Sequence, residues 1–381
     1  MPKRKKVIYI STIPLSLNIL LRGQLRMLTE HYEVIAVSSP GNDLDLVRER
    51  EGVRIKSVFM ERRISLFSDI LSLLSLIKLF HKEKPWMVHS LTPKAGLLAM
   101  MAARICNVPI RIHTFTGLIF PSALGLKKKI LICSDKITCS CSTHINPEGK
   151  GVMNNLESFN ITNKPLKIIG NGNINGVDCN YYKCTQHILE QANKNRIKGY
   201  LTFCFVGRIV HDKGIEELIS SFVRIQKIRS KIRLILVGTF EQKLDPIKEK
   251  TIEVIKNNEN IEYVGWQQDI RPFLAASDIF IFPSYREGFP NVLLQAGAMG
   301  LPSIVTDING SNEIIINGEN GIIIPPRNEN ELYSAMIYMI DNEAKRHSMA
   351  LCSRNLIESR YEQQYLWKEL LIFYKSLENG N

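Results

Sequence analysis

No apolar run in this chain is long and unbroken enough to cross a bilayer. The longest, ISLFSDILSLLSLIKLF from Ile64 to Phe80, is interrupted by Asp69, Lys78 and four serines, so it reads as an amphipathic helix. The basic opening MPKRKK leads directly into a strand-like run and lacks the apolar stretch of a signal peptide. Eight cysteines are present without one Cys-x-x-Cys pair, which points to reduced thiols and a cytoplasmic setting. Several chemistries lack their motifs. There is no G-x-x-x-x-G-K-[ST] for a P-loop, no G-x-G-x-x-G after the first strand and no H-E-x-x-H for zinc. Zinc-finger spacing and RNP-like aromatic pairs are missing too, so no nucleic-acid partner is expected.

Acidic residues are scarce in the first half only. Through residue 170, 25 Lys and Arg face 12 Asp and Glu; beyond it, 24 face 25. A basic first half fits an anionic partner, a membrane lipid or a phosphorylated substrate; the plainer reading is a solvated surface. Arg62 and Arg63 stand beside the Leu-rich segment. That pairing suggests peripheral docking on an anionic membrane face, with a core helix of the first domain as the competing reading.

With 381 residues, two domains are expected. Short β-rich runs alternate with helical-period segments, the mark of parallel βαβ units. The first-half strand candidates are KVIYIST, YEVIAVSS, VRIKSVF, WMVHSL, PIRIHTF, KITCSC and LKIIG; the second-half ones are LTFCFVG, IRLILVG, IEYVGW, DIFIFPS, PSIVT and GIIIP. Ile215, Leu218, Ile219 and Phe222 fall on one helical face. The Gly- and Asn-rich GNGNINGVDCN marks a linker. The expected layout is an α/β chain of two Rossmann-like, doubly wound domains, 1–170 and 171–360, facing each other across a cleft. A C-terminal amphipathic helix, 361–381, would pack back across the junction.

Two segments carry chemistry. In FVGRIVHDKGIEELI a strand ends at Gly207, and Arg208 and Lys213 precede a helix. Two cations at a strand–helix junction suit a diphosphate, although solvated charges at loop ends are common. In YREGFPNVLLQAGAMG, Glu287 follows a strand and opens a Gly-Phe-Pro-Asn turn, and Gln295 lies eight residues on. The plainer reading is a capping carboxylate and a solvated amide on a core helix. Asp43 and Asp45 in GNDLDL read as a loop-to-helix start and not as a metal site.

Together these segments resemble the nucleotide-binding domain of retaining glycosyltransferases of family 4, which have the GT-B fold. The matching pieces are GNGNINGVD, VGRIVHDKGIEELI, VGWQQDIRPFLAASDIFIFPS, EGFPNVLLQAGAMGLPSIVTD and GSNEIIINGENGIIIPP, in the family's order; the first half resembles it more weakly, through RIHTFTGL and the βα layout. The resemblance implies that Arg208 and Lys213 hold the diphosphate of a sugar nucleotide. Glu287 would be the first acid of the family's E-x7-E motif and face the donor sugar. The amides of Gly288, Phe289, Asn291 and Val292 would cradle sugar and β-phosphate, and Gly265 and Trp266 would lie near the base. The motif's second acid binds the ribose; Gln295 stands there, and an amide accepts with one atom and donates with the other. His113 would touch the reacting centre, projecting from a sheet edge, with Thr114, Thr116 and Gly117 on the acceptor side. The loop STIPLSLNILLRGQL has one glycine, Gly23, where the family often has a pair.

The implied activity is retaining transfer, without metal or other cofactor, from a nucleotide diphosphate sugar to a hydroxyl acceptor. The donor would be a UDP-hexose or UDP-N-acetylhexosamine, and the acceptor a polyprenyl-diphosphate-linked saccharide of surface-polysaccharide assembly. Two other readings stay open: a non-catalytic sugar-nucleotide-binding or partner protein, and a sugar-nucleotide epimerase.

Overall fold

Runs of Val, Ile, Phe and Leu supply twelve strands among the described residues, which in this computed structural model are 4–62, 65–241 and 245–378. The chain divides into two compact units, Met1–Asn175 with Gln364–Asn381, and Gly176–Gln363.

The first unit holds β1 (Lys6–Ile10), β2 (Glu33–Ser38), β3 (Arg54–Ser57), β4 (Met87–Leu91), β5 (Ile110–Phe115) and β6 (His144–Pro147). Their order is β3-β2-β1-β4-β5-β6, every pair parallel. Ile8 of β1 registers with Ile35 on one side and Val88 on the other. Strand order therefore reverses between β1 and β4, the switch point of a doubly wound sheet. Three crossover helices matter below: α1 (Leu66–Glu83), α2 (Pro93–Ile105) and α3 (Gly125–Cys141), with α2 packed against both others. The small residues Ala95, Gly96, Ala99, Ala102 and Ala103 are buried along α2 and let it lie close to its neighbours.

Two strand expectations fail here. KITCSC is the end of α3, whose buried Asp135, Thr138 and Cys139 follow a helical spacing. Its alternation of apolar and polar residues imitates a strand over six residues only. LKIIG forms no strand; Leu166 makes a single bridge to Ile145 of β6. The sixth strand is instead the short HINP.

The last helix, Gln363–Glu378, contributes to the first unit although it ends the chain. Leu370, Phe373 and Tyr374 join Tyr9, Tyr32 and Leu17 in one buried cluster. Tyr374 Oη lies 2.5 Å from Tyr9 Oη and also meets Nδ1 of His89. Residues 379–381 of this expected helical segment, and Arg63 and Ile64 beside α1, lie outside the described residues.

The second unit holds β7 (Leu201–Val206), β8 (Ile232–Val237), β9 (Ile261–Gly265), β10 (Ile279–Phe282), β11 (Ser303–Thr306) and β12 (Gly321–Ile324). The order β12-β11-β10-β7-β8-β9 repeats the first sheet's plan, again parallel. Helix α4 (Ile215–Gln226) buries Ile215, Leu218, Ile219 and Phe222, the face its periodicity predicts. Helices α5 (Asn291–Ala298) and α6 (Ser311–Ile314) follow β10 and β11. Helices on both faces explain why the inner strands β7, β8 and β10 are almost wholly buried. No helix among the described residues is long and apolar enough to cross a membrane.

Candidate active site

The carboxyl ends of parallel strands are where a doubly wound sheet opens to ligands. In the second unit, β7 leads into Gly207 and Arg208, β10 into Pro283–Glu287, and β9 into Gly265 and Trp266. After Arg208 the chain makes one tight turn at His211–Lys213 and enters α4. The amide of Tyr285 donates to the carbonyl of Asp212 at 2.8 Å, which ties this turn to the segment after β10. Lys213 and Glu287, 74 residues apart in sequence, meet as a result: Nζ donates to Oε1.

Their pair is mostly shielded, with side chains 13% and 15% exposed. Ser284 Oγ also donates to the same carboxylate oxygen at 2.7 Å. The Lys213 ammonium lies 5.0 Å from the centre of the Phe282 ring. An acid held by a cation and a hydroxyl is fixed in place, and it faces whatever enters beside it. Arg208 is turned elsewhere. It is exposed, and its Nη1 lies 2.7 Å from Oε2 of Glu241. The loop after β8 is drawn there by a backbone bridge, Ile209 amide to Thr239 carbonyl at 2.8 Å.

The turn after Glu287 runs straight into α5. Pro290 stands at its N-cap and the helix starts at Asn291, so the partial positive charge of a helix start follows the carboxylate by four residues. Phe289 is buried, its ring 5.5 Å from that of Tyr361. The turn is held from below by Gly310, at φ +74. A Cβ there would lie 2.5 Å from the Gly288 carbonyl oxygen, so only glycine allows this approach. Gln295 sits one turn into α5, partly buried, and its side chain makes no hydrogen bond to a described residue. Trp266 is 69% exposed just after Gly265.

Sequence reasoning missed Ser284, Glu241 and Gly310. A serine and a glutamate in loops carry no local signal. Gly310 preceding Ser-Asn-Glu does carry one: its amide is bound by the Glu313 carboxylate at 3.3 Å, a helix-start pattern. A groove of about 430 Å³ between β12 and the helix Glu329–Asp341, lined by Ile322, Ile324, Ala335 and Tyr338, shares no residue with this set.

In the first unit His113 does not project from the sheet edge as expected. It is 1% exposed inside β5. Nδ1 lies 2.8 Å from Ser90 Oγ, and the ring meets Phe115 edge-on at 4.4 Å. Gly96 of α2 lies directly over it; a Cβ there would fall 2.3 Å from His113 Cε1. A side chain two residues before the strand's end is still under the helix layer, which is why the edge position fails. Burial pushes its imidazole down to about 3, so the ring is neutral. Thr114 is also buried, with Oγ1 2.7 Å from His89 Nε2, while Thr116 and Gly117 are partly exposed beyond the strand. Asp43 and Asp45 lie in the first turn of the helix Asn42–Glu51, Asp43 accepting from Asn18 Nδ2 at 2.6 Å and Asp45 pairing with Arg48. Gly23 stands at φ +81 before the helix Gln24–Thr29, its amide bound by Glu51 Oε1.

The description "Glycosyl transferases group 1" matches residues 188–355, and "Glycosyl transferase 4-like" matches residues 17–142. Over the whole length, the chain is 32% identical to the capsular polysaccharide biosynthesis glycosyltransferase CapM of Staphylococcus aureus, covering 98% of each. The chain belongs to the group 1, family 4-like glycosyltransferases. This glycosyltransferase is also 26% identical, over 92% of each chain, to a UDP-Gal:alpha-D-GlcNAc-diphosphoundecaprenol alpha-1,3-galactosyltransferase of Escherichia coli. Two solved structures share its fold. HepE of Anabaena, in complex with UDP and glucose, has a TM-score of 0.83 at 14% identity, covering 98% of this chain and all of that one. Sucrose-phosphate synthase of Thermosynechococcus elongatus has 0.83 at 17%, covering 99% and 100%. The fold is GT-B, two Rossmann-like units in succession, and the family is of the bacterial capsule and O-antigen type.

Proposed function

We propose that this glycosyltransferase takes a hexosyl or N-acetylhexosaminyl group from a UDP-sugar, with retention of configuration, and moves it to a hydroxyl of a polyprenyl-diphosphate-linked saccharide. One observation carries the reading: Lys213 and Glu287 converge at the carboxyl ends of β7 and β10, next to the start of α5. A cation, a fixed carboxylate and a helix start suit a sugar diphosphate better than any neutral ligand. The relatives support the substrate classes: the E. coli protein's name gives a UDP-sugar donor and a diphosphoundecaprenol-linked acceptor.

In this reading Lys213 and Arg208 bind the diphosphate and stabilise the charge that grows on it as the C1–O bond breaks. That work is done by side chains and amides, with no metal or cofactor assigned. Glu287 orients the sugar, the amides of Gly288, Phe289, Asn291 and Val292 line sugar and β-phosphate, and Gln295 meets the ribose. Gly265 and Trp266 border the base. His113, sealed and neutral, supports the strand end from which Thr114, Thr116 and Gly117 lead to the acceptor side, and its ring carries no charge at neutral pH. The first unit works against an anionic membrane face, where a lipid-linked acceptor resides.

Purified enzyme given UDP-sugars and a polyprenyl-diphosphate-linked saccharide is expected to release UDP and lengthen the saccharide, and Glu287→Ala should abolish both. Donor binding without any turnover would favour a non-catalytic sugar-nucleotide-binding protein, and interconversion of UDP-sugars without acceptor an epimerase.

A further inference from the structure

Among the exposed apolar side chains of the first unit, two groups are concentrated at helix starts. Helix α1 buries Ser72, Leu76 and Phe80 on one stripe. On the opposite stripe Phe67, Ile70, Leu71 and Leu74 are exposed, at 77%, 56%, 51% and 57%. A core helix does not leave four large apolar residues in water at i, i+3, i+4 and i+7. A second group stands at the start of α3, where Leu124 is 85% exposed and Leu126 73%.

Topology brings the two groups to the same end of the unit. A crossover helix runs antiparallel to the strands it joins, so α1 and α3 both begin at the carboxyl edge of the sheet, on either side of α2. Lys94 of α2 bonds Asp69 of α1 at 2.7 Å and fixes the first turns of those helices together. Cations accompany each group. Lys127 and Lys129 are exposed next to Leu126, and Arg62 and Lys78 are exposed at the two ends of the α1 stripe.

We infer that the first turns of α1 and α3 form a two-point docking surface for an anionic phospholipid bilayer, the leucines and Phe67 entering the acyl boundary and the lysines meeting the headgroups. The composition selects this occupant: apolar side chains on a helix flanked by Lys and Arg match the interfacial layer of an anionic membrane. A protein partner would meet the same leucines without requiring the lysines. The inference rests on the membrane-linked acceptor proposed above and specifies where the enzyme touches the membrane.

The test is flotation of the full chain with vesicles of phosphatidylcholine, with and without about 30% phosphatidylglycerol, at about 0.15 M salt. Binding to the anionic vesicles is expected, at least about tenfold stronger than to the neutral ones. Phe67→Ser with Leu71→Ser, and separately Leu124→Ser with Leu126→Ser, should each weaken it about tenfold or more. Lys127→Glu with Lys129→Glu should remove the preference for anionic lipid. These side chains are on the surface, so each variant should match the unaltered protein in thermal unfolding and in any UDP-sugar hydrolysis in vesicle-free solution. That hydrolysis reports separately on the transferase reading. Failure of the unaltered protein to float, variants that float equally well, or a dimer in solution that the Leu→Ser changes dissociate would overturn the inference.

Discussion

Nη1 of Arg208 lies 2.7 Å from Oε2 of Glu241, so a cation assigned to the donor diphosphate is already engaged by a carboxylate. Both side chains are substantially exposed, 46% and 33%, and such pairs contribute roughly 0.2–1 kcal/mol. Glu241→Gln should free the guanidinium and tighten UDP-sugar binding about two- to fivefold by calorimetry. Arg208→Ala should weaken it at least about tenfold. Weaker binding in Glu241→Gln would make Glu241 the group that orients Arg208.

The Lys213–Glu287 pair acts as a unit. Lys213→Met and Glu287→Gln are each expected to lower kcat by about 10² or more. The double variant should be far less than multiplicative, because either change already dismantles the arrangement. Multiplicative losses in steady-state kinetics would mean that the two side chains serve separate steps.

The Gln295 side chain has no hydrogen-bond partner among the described residues, so replacing it with another of the same length breaks no bond already formed. A carboxylate accepts from both ribose hydroxyls, and a charged hydrogen bond exceeds a neutral one by about 1 kcal/mol. Gln295→Glu should therefore bind the donor roughly fivefold more tightly. Unchanged affinity would remove Gln295 from the ribose.

Two glycines with similar φ separate strain from contact. Gly310 and Gly318 have φ of +74 and +82, but a Cβ meets the Gly288 carbonyl oxygen at 2.5 Å in the first and nothing within 4 Å in the second. Gly318→Ala should cost only the conformational penalty, about 1 kcal/mol. Gly310→Ala should cost about 2–3 kcal/mol in urea unfolding, with a raised KM for the donor as the Glu287–Asn291 turn is displaced.

Stability should depend on pH through three buried groups. Burial depresses His113 to about 3; burial and then the neighbouring His113 do the same for His89. Below about 6.5 the unfolded chain takes up protons these rings refuse, so their contribution is lost as pH falls from 6.5 toward 3. Asp135 opposes them. Burial raises its carboxyl to about 7, so its contribution is present below about 4 and lost as pH rises toward 7. Between about pH 4 and 5.5 the three leave a net slope of about 1.4 kcal/mol per pH unit, stability rising with pH. Asp135→Asn should steepen this to about 2.7, and His89→Gln should flatten it toward zero. Urea titrations at pH 4 and 5.5 read the difference directly.

Much of the fold was legible because its signals are local. A parallel strand covered on both faces must be apolar throughout, and a helix over it must repeat near 3.6 residues. The strands KVIYI and IRLILV and the buried face Ile215–Phe222 of α4 show this. KITCSC fits either period over its six residues, and the rest of α3 is needed to decide. His113 was placed at the wrong depth for a related reason: which residue of a strand emerges at its edge depends on how far the covering helix reaches, and Gly96 is set by α2.

Residue type and spacing alone are enough to specify the two doubly wound units, the family and the positions of Arg208, Lys213, Glu287 and Gln295. The folded chain adds that Lys213 grips Glu287 while Arg208 turns to Glu241. It also adds that Gly310 carries the turn between Glu287 and α5, and that Phe67 and Leu126 stand in water. Partners 20 to 80 residues apart are joined by strand order and loop course, which no local pattern encodes.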